Sequence, residues 1–209
     1  MNSWRGFVES VHVTALGLWL GMIVGAASAA AVIFPTMKTI DARIPGYEAS
    51  VADNFRVAGG MVAQKVFLIS DLVAFPSAIA AIVTLGVQIV VFRIPVRRPA
   101  TILRAASLSI ALAAFASMLI IVEPALVRAS KLHWAAIKAG DSAAIALHKA
   151  AVDELHPMAS NLMAATALAV LCSLIASVWA LAVPWNKEAA ASATPRYPEP
   201  ALLRAGKRL

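Results

Sequence analysis

Charge is scarce in this sequence. Asp, Glu, Lys and Arg make up 14% of 209 residues, where a soluble domain carries about 25%. An ordinary soluble domain is thereby excluded. Cysteine is nearly absent. Cys172 stands alone, so an intramolecular disulfide and a cysteine-based metal site are ruled out. It falls within an apolar run and is expected to pack as a small buried hydrophobe. Also missing are a carboxylate dyad, a nucleophile–base pair and a phosphate-cradling loop, so no catalytic residue is expected and the chain reads as non-enzymatic. No internal repeat is evident.

What is present is apolar. Hydrophobic residues make up 61% of the chain, and the mean hydropathy is +0.80. They gather into four runs of the ~20 residues that cross ~30 Å of hydrocarbon. The spans run over about 11–34, 61–92, 102–126 and 158–183. The expected fold is all-α: an integral membrane four-helix bundle over 1–184, followed by a basic Pro/Ala-rich tail over 185–209. Pro35 is expected to stop the first span. Trp185, at the end of the fourth, suits the headgroup region. Arg5, the apolar stretch after it and Ala27-Ser28-Ala29 resemble a secretory signal. Glu9 and His12 break its positive region and the apolar run continues to Phe34, so the first span is read as retained.

The formal net charge is +7 and the pI about 10.1. Placement decides what this means. Arg93, Arg97, Arg98 and Arg104 lie between the second and third spans without an acidic residue. Lys187, Arg196, Arg204, Lys207 and Arg208 lie in the tail. Basic residues flanking spans meet lipid headgroups and orient the chain. The expected partner is therefore the bilayer and not nucleic acid. Both termini are placed in the cytoplasm of a bacterial-type inner membrane. The other two connections, Thr36–Gly60 and Arg128–His156, mix both signs and fall outside. Tyr47, Val51, Phe55 and Ala58 recur at helical spacing, as do Ala143, Leu147, Ala150, Ala151 and Leu155. Short amphipathic helices or helical extensions are expected there.

Gly17, Gly21 and Gly25 follow one another at four-residue spacing, with Ala29 continuing the series. In lipid, small residues at this spacing let helix backbones approach closely. The glycines are read as one wall of a helix-packing seam, within the chain or between two copies. Another helix is expected to cross near Gly21. His12, Trp19, Ile23 and Ala26 share a different face, expected to point away from that crossing.

Ionisable groups within spans are costly and therefore candidates for function. Lys65, Glu123 and His156 are expected at one depth near the outer side, where Lys65 could pair with Glu123. Asp71 lies six residues beyond Lys65, about 9 Å deeper. Together Lys65, Asp71, Glu123 and His156 form a candidate intramembrane polar cluster. Pro124 is expected to bend or end the third span. Of the four histidines, His12 and His156 are at opposite ends of the bundle and cannot share a haem. His148 and His156 are about 12 Å apart along a helix, too far to share a metal. No cofactor is expected.

The motifs His12, Trp19-Leu20-Gly21, Phe34-Pro35, Arg56-Val57-Ala58-Gly59 and Leu155-His156 occur in that order across residues 8 to 183. In this the chain resembles the domain-of-unknown-function 4149 family, also called transmembrane-protein-205-like. Glu123-Pro124 resembles that family's proline-terminated third span. Ser160-Asn161 stand adjacent where the family separates a serine and an asparagine. The resemblance implies a four-helix membrane protein and supplies no catalytic residue. The first span also resembles that of copper-resistance and haem-pathway membrane proteins, which place a histidine before a Trp-Gly pair.

Three roles remain open at this stage. One is a packing or accessory subunit that binds a membrane-protein partner or a second copy. Another is a small transporter or proton- or ion-linked protein that uses the polar cluster. The third is a haem or copper protein.

Overall fold

The computed structural model describes residues 2–47 and 54–182. It is all-α: α1 (Asn2–Thr39), α2 (Asn54–Val90), α3 (Pro99–Ser117), a π-helical turn (Met118–Val122), α4 (Glu123–Ala139) and α5 (Ser142–Ala182). Pro99–Ala139 acts as one rod, so four helices are long and apolar enough to cross a membrane. The chain is a multi-pass membrane protein that associates with the lipid bilayer. The 185–209 tail, and Val51 of the Tyr47–Ala58 series, lie outside the described residues.

The helices outrun the spans read from hydropathy. α1 has 38 residues and α5 has 41, or about 57 and 62 Å at 1.5 Å per residue, against ~30 Å of hydrocarbon. The excess forms the helical extensions. Residues 54–60 continue directly into α2, and 142–157 into α5.

Prolines do not stop these helices. Pro35 lies inside α1, which runs on to Thr39, and Pro157 lies inside α5. Proline forfeits one backbone hydrogen bond, and each helix continues past it. Nor does Pro124 end the third span. The Glu123 amide donates to the Met118 carbonyl, five residues back. This wide turn inserts a residue and takes up the proline without breaking the rod.

Capping fixes the turns. Gly140 ends α4 at φ 71°, in the left-handed region that glycine enters without steric cost. The Asp141 carboxylate then accepts from the Ala144 amide at 3.0 Å, which starts α5. At the head of α2, Asn54 Oδ1 accepts from the Ile44 amide at 2.9 Å and Nδ2 donates to the Tyr47 carbonyl at 3.2 Å.

α1 packs along α2 and also touches α5, while α5 backs α3 and α4; α2 and α3 barely meet. The core joins Leu16, Trp19 and Ile23 of α1 to Ala74, Ala78, Ala81 and Leu85 of α2. Leu108, Ala111 and Phe115 of α3 and Ala169 and Val170 of α5 complete it. Trp19 meets Phe115 edge-on at 5.2 Å between ring centres.

Among the described residues of the chain no helix crosses at the glycines, and the face expected to point away from such a crossing is the packed one. Trp19 and His12 are fully buried, whereas Gly17, Gly21 and Gly25 are exposed, with open space where a Cβ would stand. The His12–Trp19–Ile23–Ala26 face is the packed one, because its large side chains fill the space between helices. The seam on α2 uses alanines instead. A close glycine contact does exist, at Gly59, where an added Cβ would come 2.9 Å from the Phe34 ring. Cys172 is exposed, not buried. It lies on α5 one position before Ser173, which takes the inward face.

Candidate functional site

Polar side chains from all four rods gather at the end of the bundle that carries the start of α1 and the α2–α3 connection. α1 supplies Glu9 and His12, which are three residues apart and so on one face. α2 supplies Thr84 and Gln88, one turn apart. α3 supplies Thr101, Arg104 and Ser107, and α5 supplies Ser173 and Ser177. Every one of these residues is buried.

Arg104 is not a loop residue. Pro99 opens α3, which carries Arg104 more than a turn into the helix. Its guanidinium Nη2 lies 2.8 Å from Glu9 Oε1, with only 2% and 7% of the two side chains exposed. This is an ion pair between α1 and α3. Beyond this contact, Glu9 Oε1 and Arg104 Nη2 and Nε have no hydrogen-bond partner among the described residues. The Arg104 carbonyl accepts from Ser173 Oγ of α5 at 3.4 Å, and the Ser173 carbonyl accepts from Ser177 Oγ at 2.7 Å.

His12 is held against α2. Its Nδ1 lies 3.1 Å from the Ala81 carbonyl and 2.9 Å from Thr84 Oγ1. A carbonyl only accepts, so Nδ1 carries the ring proton. Thr84 donates its own proton to the Ala80 carbonyl at 2.6 Å and is free to accept from Nδ1. His12 Nε2 therefore faces the interior, and it has no partner among the described residues. Neither amide atom of Gln88 has one, and neither does Trp19 Nε1. An unmet buried polar group costs ~1–3 kcal/mol, and His12, Gln88 and Trp19 are three such side chains in one bundle, more than packing requires.

A second polar contact lies toward the other end. Asp71 of α2 and Glu123 of α4 face each other within hydrogen-bonding range, and both are half-buried. Two carboxyl groups in contact need a proton or a cation between them. The π-helical turn immediately before Glu123 sets the direction of its side chain. Of the candidate cluster, the structure therefore brings Asp71 and Glu123 together. Lys65 and His156 are exposed on the bundle surface and form no ion pair among the described residues. Among the described residues no three His, Cys, Asp or Glu side chains are placed to share a metal.

Sequence reading missed the Glu9–Arg104 pair and Gln88. Arg104 stands close to three loop arginines and was counted with them. The signal that finds it is periodic: Thr101, Arg104, Leu108, Ala111 and Phe115 recur every three or four residues and form the buried stripe of α3. Ala74, Ala78, Ala81, Leu85 and Gln88 do the same on α2.

Comparison with protein-family models, curated proteins and solved structures finds no match to this chain.

Proposed function

We propose that the chain is a non-enzymatic subunit of a bacterial-type inner membrane, with both termini cytoplasmic, that works by helix association through the glycine face of α1. The open space over Gly17, Gly21 and Gly25 carries this reading. The rest of α1 is anchored by Leu16, Trp19 and Ile23, so the glycines are not needed for its own bundle. Three glycines at four-residue spacing leave a flat strip that an identical strip complements, which favours a second copy of the chain in a two-fold arrangement. The resemblance to the domain-of-unknown-function 4149 family implies a four-helix membrane protein and assigns it no role.

Gly21→Leu tests the idea. The single chain has room for the leucine, whereas a partner helix at that face would not. In mild detergent or nanodiscs, the parent protein should run as a dimer and Gly21→Leu as a folded monomer. A monomeric parent, or a variant that still dimerises, removes the proposal.

The Asp71–Glu123 contact favours a second reading, as a proton- or cation-linked membrane protein. Its test is proton or cation flux in proteoliposomes, with Asp71→Asn and Glu123→Gln as the comparison. Absence of flux in the parent protein argues against it.

A further inference from the structure

Two buried side chains at the Glu9–Arg104 end have unmet capacity of complementary kinds. Gln88 is fully buried and offers two amide protons and a carbonyl oxygen, none of them bonded within the described residues. His12 is also fully buried. Because Nδ1 is committed to Ala81 and Thr84, its neutral ring presents Nε2 as an acceptor.

Depth brings these groups together. α1 and α2 run antiparallel, with Phe34 against Gly59, Met22 against Ser70 and His12 against Ala81. Gln88 follows Thr84 by one turn, about 6 Å along the axis. Glu9 precedes His12 by three residues, in the same direction through the bundle. Gln88 therefore lies near the level of Glu9 and Arg104, with His12 one turn further in.

Charge selects the ligand. Glu9 and Arg104 neutralise each other, and Thr84, Gln88, Ser107, Ser173 and Ser177 are uncharged. A fixed ion in this layer would lack a counter-charge, which makes its desolvation prohibitive. An uncharged molecule with both a donor and an acceptor meets the groups as they stand. It can donate to His12 Nε2 and exchange hydrogen bonds with the Gln88 amide.

We propose that the layer formed by His12, Gln88 and the Glu9–Arg104 pair is a binding site for a small uncharged hydrogen-bonding molecule, either water or a solute of amide type. The site is independent of the glycine face and stands whether or not the chain dimerises.

The test uses the full chain in lipid nanodiscs, with 15N in glutamine and histidine side chains. Gln64 is the only other glutamine, so Gln64→Asn assigns the Gln88 signal without disturbing the layer. Two measurements follow: magnetisation transfer from water to the Gln88 amide, and a titration with acetamide. Transfer that acetamide leaves unchanged identifies water as the occupant. A saturable acetamide shift of both Gln88 and His12, with loss of water transfer, identifies an amide-type solute. No transfer and no shift means a dry, closed layer and overturns the proposal. All of these readouts come from chains with the layer intact, so none depends on a variant that could misfold.

Discussion

Glu9 on α1 and Arg104 on α3 form an ion pair at 2.8 Å with both side chains almost wholly out of solvent. They lie 95 positions apart in the chain, and the pair ties the first rod to the third, on the side where α2 and α3 barely meet. Removing one partner should be far worse than removing both. Glu9→Met or Arg104→Met alone leaves a buried charge uncompensated and should destabilise by ~3–5 kcal/mol, whereas the double substitution should restore much of the loss. Reversible unfolding in bicelles measures this. A double-variant loss equal to the sum of the two single losses would show that the pair is not coupled.

Gly59 and Gly21 should respond to alanine in opposite ways. A Cβ at Gly59 would stand 2.9 Å from the Phe34 ring and force α1 and α2 apart, while Gly21 has open space. Gly59→Ala should lower the unfolding midpoint. Gly21→Ala should hold or raise the stability of the isolated chain, since alanine is the better helix former by up to ~1 kcal/mol. Thermal unfolding of the two variants side by side decides it.

Trp19 fills the centre of the core against Phe115. Trp19→Ala should cost ~3–5 kcal/mol through the cavity it leaves. Ile110 is 59% exposed on α3, and Ile110→Ala should cost far less because lipid replaces the lost contacts. Comparable losses at both sites would mean that the inward face of the bundle has been misassigned.

Cys172 gives a direct check on the membrane environment. It is the only thiol and is exposed on α5. A nitroxide attached there in liposomes should be relaxed strongly by oxygen, which concentrates in hydrocarbon, and weakly by a water-soluble nickel chelate. Strong relaxation by the chelate would place this face of α5 in water.

The four rods were legible in the sequence because apolar length is a local property. Any run of ~20 such residues must be accounted for by hydrocarbon. Helix ends were less legible. Pro35 and Pro124 look like stops, but α1 runs on past Pro35 and a π-helical turn carries the third rod past Pro124. Arg104 looked like a loop charge because its chain neighbours are loop charges, and only the opening of α3 at Pro99 moves it inside. Glu123 could be placed at the outer part of its rod, but its contact with Asp71 depends on the turn at Met118–Val122.

The sequence by itself determined that this is a four-span membrane protein, since length, apolarity and scarcity of charge leave little else for the chain to be. Which side of each helix faces inward was decided only by tertiary structure. In water, polarity marks the outer face of a helix. In lipid, both the core and the surroundings are apolar, so hydrophobicity does not distinguish Trp19 from Leu18 or Gly21 from Ala78. Packing makes the distinction: Trp19 is buried and Leu18 is 52% exposed. The same packing closes Glu9 onto Arg104 and leaves Gln88 buried without a partner among the described residues.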